Sequence, residues 1–258
     1  MDLKQKTIGD IIESERWLVL AAPERYGDYY RHALDASVLL SHFIKSLDPD
    51  RFIFGRYHAW VKKHHLLALF STVRLHQAQA AMDLRQVLEA GSLAAYAVAN
   101  PDPTLFVTED KNGLLNSSSK LNGIAYKWLD QNHPQSSRNI KAMKDAINET
   151  TAHANLVYTG ANFEAADDGV SAPFFDVEDE HAVKTELWRI GNIAINLLYL
   201  FYGVNQTVGS IKFVDDFHPQ LGDLVTRSNA LRAEMMATDR YKEAEAATAA
   251  MESERRGV

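Results

Sequence analysis

From Asp50 to Asn100 the chain contains no proline, and the triplet Pro101-Asp102-Pro103 ends the run. Such a stretch is expected to form one very long helix or two collinear ones. At 1.5 Å per residue, about fifty residues would reach about 75 Å, longer than a domain of this size is wide. A kink or break near Gly55 is therefore expected, or else a helix that projects into a partner subunit. Elsewhere glycine (13) and proline (7) are scarce among 258 residues, leaving little material for the frequent tight turns of a sandwich or barrel. The expected fold class is all-α: an antiparallel bundle of six to eight helices, several of them long, with one small β-hairpin.

Thr7 is placed to cap a short helix that Pro23 ends, and a second helix should run from Glu24 to Leu47, up to the breaking triplet Asp48-Pro49-Asp50. The polar stretch Glu109 to Lys120, with Asn112-Gly113 and Ser117-Ser118-Ser119, has the composition of a loop. Ser119 should cap a helix reaching Asn132. Pro134 suits the first turn of the next helix, which runs to about Tyr158. The hairpin is expected between residues 162 and 177, turning at Asp167-Asp168-Gly169, and Pro173 restricts it to an edge. Glu178 to Asn205 is apolar on every side and should be central, whereas Leu221 to Ala247 should be the last amphipathic helix. A single domain over 1–258 is the simplest organisation, with an N-terminal helix over 1–22 and a frayed tail over 248–258.

Composition narrows the chemistry. Without cysteine there is no disulfide, no thiolate metal site and no cysteine nucleophile. A net charge of −7 gives no global attraction to polyphosphate, so no DNA partner is expected and any RNA or nucleotide would need a local basic patch. The opening MDLKQKTIGD lacks the order of a secretory signal, and Asn196 interrupts the best apolar run, so a cytoplasmic location and no membrane association are expected. Phosphate-loop, dinucleotide, hydrolase-elbow and zincin motifs are missing. His58, His65 and His76 share a helical face but lie about 10 and 16 Å apart along it, and Glu178-x-x-His181 is a single pair. No metal and no cofactor are expected.

Three constellations carry chemistry. On the long stretch, Arg74, Arg85, Glu89 and Tyr96 fall within about 80° of one another around the helix, beside small residues that leave room for a ligand. Arg85 and Glu89, spaced i, i+4, either brace the core as an ion pair or orient a binding guanidinium. Glu149 and His153 repeat that spacing, so the carboxylate would orient the imidazole and raise its pKa for proton transfer, unless the histidine only bonds the backbone at a helix end. Arg189, Asn192 and Asn196 form a polar stripe on the most apolar helix, and buried amides must find partners.

The segments Leu84-Arg85-Gln86-Val87-Leu88-Glu89-Ala90, Tyr126-Lys127-Trp128-Leu129 and Ala152-His153-Ala154-Asn155 resemble a family of bacterial all-helical proteins over roughly residues 60 to 200. More loosely, the chain resembles the HEPN superfamily of helical bundles. That resemblance implies either an RNA- or nucleotide-associated accessory protein or a metal-independent ribonuclease or toxin. The superfamily's catalytic arginine, four to six residues before a histidine, is missing before His153, where Ala146, Ile147 and Asn148 stand, and Arg85 is the candidate to supply the cation from a neighbouring helix. Catalytic roles therefore fall to Arg85, Glu89, Glu149 and His153, and binding roles to Arg74, Tyr96, Arg189, Asn192 and Asn196. A non-enzymatic homo-oligomeric scaffold, in the simplest case a dimer, is the alternative of a different class.

Overall fold

The computed structural model describes residues 7–118, 120–150, 164–166, 169–171, 174–177, 179–243 and 245. The fold is all-α with small β-hairpins. Its helices among the described residues are α1 (Ile8–His42), α2 (Phe52–Val73), α3 (Gln77–Ala99), α4 (Leu121–Asn132), α5 (Pro134–Thr150), α6 (Glu180–Val208) and α7 (Phe217–Ala237). Six short strands among the described residues, β1 (Ile44–Leu47), β2 (Val107–Glu109), β3 (Leu115–Ser117), β4 (Glu164–Ala166), β5 (Gly169–Ser171) and β6 (Ile211–Phe213), pair antiparallel as β1 with β6, β2 with β3 and β4 with β5.

Thr7 caps α1 reciprocally with Asp10: each side chain accepts from the other's backbone N–H. Pro23 does not end the helix. The chain passes through it and changes direction at Gly27, whose φ of 52° and ψ of −124° belong to a region that residues with a Cβ avoid. Losing one backbone bond at proline is tolerated, whereas the left-handed glycine sets the break.

The stretch 50–100 does break, but not near Gly55 and not into collinear pieces. Gly55 lies inside the first turn of α2, and the break falls at Arg74, Leu75 and His76, where α2 turns back along α3 as an antiparallel hairpin. Leu75 takes φ 61° with its side chain fully buried. Its carbonyl accepts from Asp176 N at 3.0 Å, and the Asp176 carboxylate accepts from Gln77 N at 2.6 Å. The His76 ring stacks on Phe175 at 5.4 Å while its Nε2 meets Glu15 at 3.0 Å. Contacts from 60 and 100 residues away, rather than a local breaker, make this turn.

Four further elements differ from expectation. The segment 109–120 is not an open loop: Asp110 Oδ1 accepts from Asn112 N and Leu114 N, Gly113 takes φ 76°, and the chain folds into the β2–β3 hairpin. The helix read to Leu47 stops at His42, because β1 pairs with β6 beyond the left-handed Gly209 cap of α6. Asn205 secures that pairing by donating to Ile211 O and accepting from Ile211 N, both at 2.8 Å. A hairpin is present as β4–β5, but Gly169 pairs with Ala166 inside it and the second strand is Gly169–Ser171; residues 174–177, read as part of that strand, are not strand. The last helix starts earlier than Leu221, with Pro219 in its first turn, and stops at Ala237. Extended Thr238 then caps a separate helical segment over 239–243 by accepting from Tyr241 N.

The core surrounds α6. Leu187, Ile190, Ile193, Leu197, Leu198 and Phe201 are fully buried among α1, α2, α3 and α7. Among the described residues, α6 is also the one helix long and apolar enough to cross a membrane, and most of its apolar side chains are buried inside the bundle, Tyr199 being exposed. Two glycines permit the close packing: an added Cβ would stand 2.6 Å from Leu197 Cδ2 at Gly91 and 2.4 Å from His32 Nε2 at Gly191.

Candidate functional site

On α3, Arg85 Nε donates to Glu89 Oε1 at 3.3 Å, the i, i+4 contact anticipated from the spacing. The same oxygen receives Lys144 Nζ from α5 at 2.8 Å. Lys144 also lies 5.1 Å from the centre of the Tyr126 ring and 3.4 Å from its hydroxyl. Burial acts to raise the Glu89 pKa, but the bonds and charges of Lys144 and then Arg85 outweigh it and hold the carboxyl below its usual range. Burial acts in the opposite sense on Lys144, where the Glu89 bond and the Tyr126 contact prevail and its pKa is raised. The cluster ties α3, α4 and α5 together with its charges fixed, an arrangement suited to anchoring rather than to giving and taking protons.

The other members of that constellation separate. Arg74 caps the end of α2, donates to Phe70 O at 3.1 Å and faces Glu15 at 3.7 Å. Tyr96 is buried between Phe106 and Trp128, each ring centre 5.7 Å away. Glu149 lies in the last turn of α5. The Glu149 side chain and all of His153 lie outside the described residues.

Arg189, Asn192 and Asn196 do come together, in an open groove of about 650 Å³ between α5, α6 and α7. Asn196 Nδ2 donates to Asn192 O at 2.8 Å, and Asn196 Oδ1 accepts from Asn139 Nδ2 at 3.0 Å. Asn192 Oδ1 accepts from Ser228 Oγ at 2.7 Å, and Trp188 Nε1 donates to Ser228 O at 3.0 Å, which fixes the floor. The Arg189 guanidinium donates to Glu186, while its Nε is buried with no acceptor among the described residues. Arg232 and Asn229, both exposed on α7, complete the rim, and none of the described lining residues is a carboxylate. The exposed Arg232 guanidinium, with the donors Arg189 retains beyond its Glu186 pair and four asparagine amides beside them, is chemistry for an anion attached to a group with hydrogen-bonding edges.

A further pair spans the two helices on either side of the break at 74–76. The α2–α3 turn brings His64 Nδ1 within 2.7 Å of Asp83 Oδ1, whose other oxygen accepts from Gln79 Nε2 at 3.0 Å. The two residues lie 19 positions apart, so no single-helix spacing could reveal them. His58 and His65 turn inward from α2 and bond Leu40 O at 2.8 Å and Ile190 O at 3.0 Å. No three histidine, aspartate or glutamate side chains converge as a metal site among the described residues. Comparison with protein-family models, with curated proteins and with solved structures gives no match to this chain.

Proposed function

We propose that this protein is a non-catalytic binding protein for single-stranded RNA or its nucleotides, HEPN-like in character, with the α5–α6–α7 groove as its binding site. One observation carries the reading. On a chain of net charge −7, the described lining of the groove is Arg189, which Glu186 holds from one side, Arg232 and the amides of Asn139, Asn192, Asn196 and Asn229, with no carboxylate among these lining residues. The guanidiniums suit phosphate, and the amide groups outside the internal network among the described residues, Asn192 Nδ2 and both groups of Asn229, offer donors and an acceptor to a base edge. Its volume is that of an ordinary ligand site, and its open form with an exposed arginine on the rim suits a strand better than an enclosed mononucleotide.

Titration calorimetry with a short oligouridylate, the matching deoxyoligonucleotide and uridine 5′-monophosphate tests the reading. The oligouridylate should bind most tightly, and Arg189→Met should weaken it about tenfold, the loss of one charge-assisted contact. The reading fails if none of the three binds, or if Arg189→Met binds as the unaltered chain does.

A further inference from the structure

A second cleft, of about 520 Å³, opens between α2, α3, the β2–β3 hairpin and the start of α4. Tyr57, Trp60 and Phe106 supply aromatic surface to it, and Asn116 and Asn122 supply amides at its edge. These walls are preformed. The Trp60 ring rests 4.5 Å from the His64 ring, which the buried Asp83 carboxylate holds in turn. Phe106 lies 6.0 Å from Tyr57 and 5.7 Å from buried Tyr96. Packing of this kind lowers the ordering cost of binding a ring.

Aromatic walls suit either a flat ring or an organic cation, and the charges decide between them. Arg56 lines the cleft, exposed and with no carboxylate partner among the described residues, and the Lys63 ammonium sits 5.5 Å from the centre of the Trp60 ring. The one carboxylate among the described lining residues, Glu89, already accepts from Arg85 and Lys144. The nearby hairpin carboxylates turn away: Glu109 toward Gly113 at the hairpin tip, Asp110 onto its own turn amides. The local balance is positive, which disfavours a cation and favours an anion.

We infer that this cleft is a second site, independent of the α5–α6–α7 groove, that takes a planar aromatic ring bearing an anionic group. The ring packs against Trp60, Tyr57 and Phe106, and the anion meets Arg56. Trp60 and Arg56 are surface side chains, so replacing them leaves the bundle intact, which circular dichroism checks.

Titration calorimetry of the full chain with naphthalene-2-sulfonate, a planar aromatic anion that is not a nucleotide, tests the inference, with benzyltrimethylammonium as the cationic counterpart. The sulfonate should bind at one site. Trp60→Leu and Arg56→Met should each weaken it about tenfold, the size of one lost ring contact or charged bond. Arg189→Met should leave it unchanged, which separates this site from the groove. The inference is overturned if the sulfonate gives no saturable heat up to about 5 mM, a bound of roughly −3 kcal/mol, if both cleft variants bind normally, if Arg189→Met abolishes binding, or if the ammonium compound binds in its place.

Discussion

Glu89 accepts from two cations through one oxygen, and that asymmetry decides what each substitution does. The Arg85 side chain is 37% exposed, so Arg85→Met should cost under about 1 kcal/mol, as for surface pairs. Glu89→Leu should cost more, roughly 2 to 3 kcal/mol, because Lys144 is then left partly buried without its anion. Replacing all three by Met, Leu and Met should recover most of that loss. Urea unfolding checks the order, and equal costs for the two single variants would contradict it. The Arg85–Glu89 contact was legible because i, i+4 residues face each other on a helix; Lys144 was not, because no spacing connects α3 to α5. Histidines give a pH prediction at the same scale. Burial pushes His32, His58 and His65 down to about 4 each; Arg227 adds to the effect on His32, while carbonyl bonds oppose it on the other two. The unfolded chain therefore takes up protons at higher pH than the folded one. Their contribution is complete above about pH 6.5 and is lost as pH falls toward 4, by at most roughly 3 kcal/mol per histidine. His65 shows why the site is poised: its Nε2 must donate to Ile190 O, so in the neutral ring Nδ1 competes with Ala33 O for the one Ser37 hydroxyl hydrogen. The urea midpoint should fall clearly between pH 7 and pH 5, and His32→Leu should flatten the slope; a midpoint that does not move would contradict the assignment.

At the scale of elements, helix packing rests on close approaches that the sequence does not announce. Gly191 on α6 admits buried His32 from α1, and an added methyl has nowhere to go. Gly191→Ala should destabilise by roughly 1 to 3 kcal/mol, as overpacking does. Gly222→Ala, on the exposed face of α7 where an added Cβ meets nothing, should be neutral or stabilising by up to about 1 kcal/mol. Thermal and urea unfolding of the two variants measure the contrast, and similar behaviour would contradict the packing described. Capping and breaking residues made much of the helix order readable: Thr7, Pro134 and the apolar run of α6 lie where local chemistry points. The α2–α3 turn was unreadable for a physical reason, since Leu75 is neither glycine nor proline and the turn is held by Asp176, Glu15 and Phe175 from distant segments. The β1–β6 pairing depends in the same way on Asn205, 160 residues from the strand it helps to place.

For the whole molecule, net charge and local charge point in opposite directions. A net charge of −7 repels polyphosphate at long range, so nonspecific affinity for nucleic acid should be weak and binding should depend on the few cations gathered at one place. Part of that place was legible: Arg189, Asn192 and Asn196 stand out as polar residues at helical spacing on an apolar helix. Asn139, Asn229 and Arg232 come from α5 and α7, and only the assembled bundle adds them. The central claim is that Arg189 and Arg232 hold the phosphates of a ribonucleotide strand in this groove. The salt dependence of fluorescence anisotropy with a labelled short single-stranded RNA measures it directly. Two phosphate contacts predict a slope of about −1.4 for the logarithm of the binding constant against the logarithm of salt concentration. The double variant Arg189→Met, Arg232→Met should bring that slope close to zero and weaken binding at low salt; a slope that the double variant leaves unchanged, or no binding at low salt by the unaltered chain, would contradict the account.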